Sequence, residues 1–237
     1  MATNNSLLAS PIERAVTEFE CNGEKVKLTA KTVRDYLVNG SGKVSDQEVV
    51  MYINLCKYQR LNPFLREAYL VKYSDTSPAA IVVGKEAFTK RARRCKSYKG
   101  SQAGIVVQKK DGSIEQRIGT LKLQGEDLVG GWARVYVEGD EIPTEITASF
   151  DEYAGRKGDG SLNAQWKSKP ATMIRKVALV QALREAFPES FEGMYSAEEL
   201  AIDETALSSD PVEREISAHL PETTDTDAAL AALDPLA

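Results

Sequence analysis

The side chains that can build a hydrophobic core run out at Asp203. Beyond it the chain is mostly Ser, Thr, Asp, Glu, Pro and Ala with few large apolar residues, and such a segment cannot bury enough surface to offset its own ordering entropy. Residues 1–203 therefore carry the fold, and residues 204–237 are expected to be an acidic, largely disordered arm. A body of that length buries a core without disulfide or metal staples. Charge divides along the chain as well. From Glu185 to Ala237 there are 14 carboxylates against one base, Arg214, a net of −13, while the first 184 residues hold 29 bases and 21 acids, a net of +8. The overall charge of −5 and pI near 5.2 argue against a polyanionic partner. Its distribution argues for one, because a basic body with an acidic arm commonly meets polyanions.

Scarce residues exclude whole classes of chemistry. The only histidine, His219, stands in the acidic arm, remote from any other candidate catalytic group, so a Ser-His-Asp or Cys-His site is not expected. Cys21, Cys56 and Cys95 have no paired spacing and no histidine partner for zinc, and they read as buried or idle thiols in a reducing, cytoplasmic compartment. No apolar run reaches the roughly 18 residues of a membrane span, and MATNNSLLAS lacks the basic flank of a signal peptide. Gly40-Ser41-Gly42-Lys43 has the flavour of a phosphate loop. It fails by count, because Val44 stands where Ser or Thr must hold magnesium and Leu37 where the first glycine belongs. Asp111, Glu115 and Arg117 make a loose version of a metal-dependent nuclease site across a hairpin turn, a pattern that ordinary solvated hairpin charges also produce.

Periodicity predicts an α+β fold, an antiparallel β meander packed with helices. The first twenty residues lack punctuation and read as a weakly ordered arm or oligomer contact. EKVKLT from Glu24 predicts a strand, and Thr29 caps a helix that stops at Asn39 and Gly40. Ser45 with Glu48 forms a capping box for an amphipathic helix over 46–60, ended by Asn62-Pro63. EAYLVKY and AAIVVG are strands joined by a turn at Ser74 to Pro78, followed by the basic helix KEAFTKRARR. Four β segments between Gly104 and Phe150 form the meander, and Gly155 to Ala164 is expected to be a mobile loop. Helical period returns from Trp166 to Phe187, bounded by Pro170 and Pro188, and Ser196 with Glu199 caps a last short helix.

Two cationic stretches carry the strongest functional signal. Lys85 to Arg117 holds ten bases against three acids, among them Lys85, Lys90, Arg91, Arg93 and Arg94. Arg156 to Arg184 holds seven against Asp159: Arg156, Lys157, Lys167, Lys169, Arg175, Lys176 and Arg184. Lys and Arg neutralise phosphates and release counterions, while aromatic faces such as Trp166 and Tyr153 stack on unpaired bases. On a helix over 170–187, Met173, Ile174, Val177, Val180, Leu183 and Phe187 share one arc, and Arg184 falls inside it. A guanidinium there needs an anion, either a buried carboxylate or a nucleic-acid phosphate at a groove edge. Arg175 and Lys169 sit toward the opposite side, facing solvent, a subunit neighbour or an outer strand.

LCKYQRLNPFLREAYLVKY, IVVGKEAFTKRARR and QWKSKPATMIRKVALVQALREAFPESFEGMYSAEE resemble the RecT-like single-strand annealing proteins, in the group of the lambda phage recombination protein Bet (Red-beta). The resemblance covers about residues 45–200, with Asn62-Pro63, Gly84, Trp166, Pro170, Met173, Arg175, Gln181, Arg184, Phe187, Tyr195 and Glu199 in the same order. It implies ATP-independent annealing of complementary single-stranded DNA on rings or filaments of many subunits inside a bacterial host, not bond-breaking catalysis. The expected partners are a 5′–3′ exonuclease and the host single-strand binding protein, docked through the arm. It implies no cofactor, and no visible site requires Mg2+. Carried over by position, Arg184 and Gln181 match residues of the DNA-binding helix, and Trp166 to Lys169 its entry loop. Ala171 and Val177 stand where the lambda protein has cations, so the grip is expected to shift to Lys167, Lys169, Lys176 and the stretch from Lys85 to Lys99. The rival readings are a passive single-strand binding protein and a metal-dependent nuclease.

Overall fold

The computed structural model describes residues 15–200. Its first element corrects the sequence reading. Val16–Cys21 (β1) is a strand paired antiparallel with Glu24–Thr29 (β2), in register from Val16↔Thr29 to Cys21↔Glu24. The turn is Asn22-Gly23 with φ of 57° and 85°, the left-handed pair that a two-residue hairpin demands and that Asn-Gly supplies. Residues 16–20 are thus part of the fold; residues 1–14 lie outside the described part.

Thr29 caps the next helix as expected, its Oγ1 accepting from Thr32 N at 3.0 Å. That helix (α1, Ala30–Thr32) widens into a π-helical turn over Val33–Leu37 and ends earlier than expected. Val38–Asn39 (β3) instead pairs parallel with Ala68–Val71 (β4), which pairs antiparallel with Ala80–Val83 (β5). The Gly40-Ser41-Gly42-Lys43 loop lies against residues 72–75. Gly42 N donates to Lys72 O at 2.9 Å and Lys43 N to Asp75 Oδ1 at 2.6 Å, and a Cβ on Gly42 would fall 2.7 Å from Ser74 O. These glycines serve a close backbone approach.

The Ser45–Glu48 capping box is formed and opens Asp46–Tyr58 (α2). Glu48 does more than cap, for its Oε1 accepts from Lys72 Nζ and from Ala79 N, each at 2.7 Å. These bonds, led by the one from Lys72, hold its carboxyl down to about 2. Lys85–Ala92 (α3) follows β5 directly.

The larger sheet comprises Tyr98–Gln108 (β6), Ile114–Ile118 (β7), Asp127–Val137 (β8) and Thr144–Ser149 (β9). It is antiparallel throughout, in an α+β fold, but the order β7-β6-β8-β9 departs from a meander. Residues 103–107 of β6 are buried without alternation, the pattern of a strand covered on both faces, whereas β7 alternates and takes the edge. The return from β7 to β8 is held by Arg117. Its guanidinium donates to both oxygens of Glu126, at 2.8 and 2.9 Å, and to Leu121 O at 3.0 Å. This fork holds the Glu126 carboxyl down to about 2.

Short helices Phe150–Tyr153 (α4) and Ala164–Ser168 (α5) lead into Pro170–Ala186 (α6). The loop between α4 and α5 is a hydrogen-bonded turn, not an unpaired loop. Arg156 bridges Leu162, and Asp159 Oδ1 accepts from Ser161 N and Oγ. All six residues of the expected apolar arc of α6 are buried, and Ala178, Leu179 and Ala182 are buried too, which makes this helix the centre of the core. It crosses the sheet at Gly131, where a Cβ would fall 2.4 Å from Ile174 O, so only glycine permits the helix to lie this close. Beyond α6, Phe191 stacks on Phe88 of α3 at 5.6 Å between centroids. Tyr195 O accepts from Val83 N at 2.8 Å, and Ser196 and Glu199 form their reciprocal cap. After that cap residues 197–200 form a hydrogen-bonded turn, Leu200 N donating to Ser196 O at 3.3 Å; the rest of the expected helix, the boundary at 203/204 and the acidic arm lie outside the described residues.

Candidate nucleic-acid interface

The cations carried by α6, Arg175 and Lys176 and, in its last turn, Arg184, are committed to the protein itself. Arg184 Nη2 lies 2.5 Å from Glu199 Oε1, Nη1 donates to Met194 O at 3.4 Å, and the guanidinium stacks over Tyr195 at 4.7 Å from its centroid. Glu199 is 5% exposed. Of the two anions open to Arg184 from sequence, the structure contains the carboxylate. Lys176 Nζ sits 2.8 Å from the buried Glu198, and Arg175 Nε donates to Ala103 O of β6 at 3.1 Å. Gln181 is half-buried beside them.

Around α3 the same sorting occurs. Lys85 meets Glu86 at 3.6 Å, and Lys90 meets Glu67 at 3.0 Å. Arg91 turns inward, donating to Gln59 Oε1, Gln59 O and Ser190 O, and thereby ties α2, α3 and the turn after α6. Burial, then the neighbouring Arg94 guanidinium, lower its pKa. Arg93, Arg94 and Lys96 are exposed.

Trp166 corrects the sequence reading most clearly. Its ring is 1% exposed, set edge-to-face on Phe150 at 5.6 Å and against Gly155, so in this conformation it is a core residue and no stacking platform. Tyr153 is half-buried. Around Trp166 the cations turn outward: Lys157, Lys167 and Lys169 are exposed, as is Arg156, which also reaches Asp151 at 3.5 Å.

The structure therefore does not gather all the expected cations on one strip. It leaves exposed groups at the two ends of α6, Arg93, Arg94 and Lys96 near its C-terminus and Lys157, Lys167 and Lys169 near its N-terminus. Seventeen residues separate these ends by about 25 Å. Sequence reasoning missed Tyr58 and Arg60, which close α2 beside Arg91 and Arg94; they fall outside both dense cationic runs, and only their place at a helix end marks them.

The loose nuclease set is occupied by cations. Asp111 caps its own turn through Ser113, and Glu115 lies between Lys109 at 2.6 Å and Arg117 at 3.1 Å. Among the described residues no group of three or more His, Cys, Asp or Glu is placed to hold a metal ion, and no helix is long and apolar enough to cross a membrane.

An α+β core that buries its central helix and turns cations outward at both ends of it defines a class of protein suited to a polyanion. Residues 24–213 match the RecT family, and the chain belongs to it: a single-strand annealing protein of phage-type DNA recombination. No match is found among curated proteins.

Proposed function

We propose that this chain, as an oligomer and without a nucleoside triphosphate, binds single-stranded DNA through its phosphates and pairs it with a complementary strand. The observation that carries the reading is the RecT match over residues 24–213 on a fold with exposed cations at both ends of α6. An annealer must hold a strand by its backbone and leave its bases open to test pairing, and lysine and arginine contacts to phosphate do that without reading sequence. The strands come from a 5′–3′ exonuclease, and the acidic arm docks that enzyme or the host single-strand binding protein.

Fluorescent complementary oligonucleotides mixed with the protein in EDTA and without ATP test this. The expected result is pairing faster than in the protein-free control. Coating of the strand with no acceleration identifies a passive binder; strand shortening that needs a divalent cation identifies a nuclease.

A further inference from the structure

A polar cleft of about 830 Å³ opens where four separate segments meet: the β1–β2 turn, the end of α2, the end of α3 and the turn after α6. Arg60, Arg91 and Arg94 line it, together with Tyr58 and Cys95, and Glu20 and Glu189 are the carboxylates of its wall. Arg60 stands in the left-handed region at φ 47°, and its carbonyl accepts from Cys21 Sγ at 2.8 Å, so its backbone is fixed by the core. Arg91 is anchored as described above, with Arg94 close enough to repel it. Among the described residues neither Arg60 nor Arg94 has an ion-pair partner, while Tyr58 is 78% exposed at the mouth. Like charges held together by the backbone, with an unoccupied aromatic face beside them, form an arrangement that an anion joined to a flat ring completes.

We propose that this cleft is a strand site, in which the Arg60 and Arg94 guanidinia take phosphodiester groups of a single strand and the Tyr58 ring stacks on an adjoining base. The site rests on the annealing reading and adds to it the residues that hold unpaired DNA. Guanidinium forks suit phosphate oxygens, and an aromatic ring accepts any base, so the site favours single strands over duplex and is indifferent to sequence. Lys57, Arg93 and Lys96, exposed neighbours of the lining residues, extend the positive surface beyond the cleft.

Cys95 supplies the test. It is half-buried in the cleft wall, whereas Cys21 and Cys56 are buried, with burial pushing the Cys56 thiol up to about 12. Maleimide therefore labels Cys95 in the folded full-length chain, and Cys95→Ser removes that labelling. With an oligothymidylate titrated in, strand binding followed by anisotropy and Cys95 labelling followed in parallel, labelling falls in proportion to the bound fraction. Tyr58→Ala lowers affinity for the oligothymidylate roughly five- to a hundredfold and affinity for duplex far less. Arg94→Glu, at an exposed position, removes the protection of Cys95. A strand that binds while Cys95 labels at its free rate overturns the cleft site and leaves the annealing reading standing. No strand binding overturns both. A Cys95 that maleimide does not reach before DNA is added overturns the cleft as an open strand site.

Discussion

The cations on α6 itself and those just beyond its two ends are the same kind of side chain used in opposite ways. Lys176 and Arg184 lie deep enough that their charges need partners, and Glu198 and Glu199, 3% and 5% exposed, provide them. At the N-terminal end Lys167 and Lys169 stand clear of the core, and at the C-terminal end Arg93, Arg94 and Lys96 do the same. A desolvated cation is costly unless matched, whereas an exposed one is available to a phosphate at little loss. Depth, not the local density of Lys and Arg, sorts the cations that hold the fold from those that can meet DNA.

The sharpest way to break this comparison is at Trp166, beside Lys167. Trp166→Ala removes a fully buried indole and is expected to cost about 4 kcal/mol in urea unfolding. Normal stability with lost strand binding would return the ring to the interface. Next comes the ion pair. Arg184→Ala leaves Glu199 buried without its cation, an expected loss of about 3 kcal/mol, and adding Glu199→Gln costs less than the two single losses together. Additive losses would mean that the pair is not coupled.

At the helix end the effect moves from stability to affinity. Lys167→Gln with Lys169→Gln should leave the urea midpoint in place, weaken oligothymidylate binding about tenfold, and lower the slope of log affinity against log salt by about 1.4. An unchanged slope would remove this end from the interface. The smallest effect is on the acid limb of stability. Glu48 and Glu126 are both held to about 2 in the fold against an ordinary 4.5, so their contribution is present above about 4.5 and is lost as pH falls toward 2. Glu48→Gln and Glu126→Gln should each flatten that decline and leave strand binding at neutral pH unchanged. A decline as steep as in the unaltered chain would place the acid sensitivity elsewhere.

What the residues announced in advance was largely local. The Ser45–Glu48 box, the Thr29 cap and the apolar arc of α6 depend on spacings of three or four positions, and each formed as read. Asn22-Gly23 is an equally local signal for β1, and the alternation of VTEFEC before it is that of a half-buried strand. The order of β7, β6 and β8 was not legible, because β8 pairs with the far edge of β6 after a return loop, pinned by Arg117 and Glu126, that sequence spacing does not describe. The site divided in the same way. That Arg184 needed an anion followed from its angle on the helix; which anion depended on Glu199, brought back by a segment that pairs with β5. Trp166 was misread because composition cannot tell an aromatic beside cations from an aromatic beneath them.

The segment from Met194 to Leu200 also sets where this protein can be shortened. By charge count it belongs to the negative end of the chain, yet Glu198 and Glu199 complete the electrostatics of α6 and Tyr195 extends β5. A version ending soon after Ala186 would keep every strand and helix of the core while stranding two half-buried cations and exposing Val71 and Val82, against which Ala197 packs. Such a truncation would resemble loss of a regulatory tail in its charge change and loss of a keystone in its outcome. Experiments that remove the acidic part to study DNA access must therefore begin the deletion beyond Leu200.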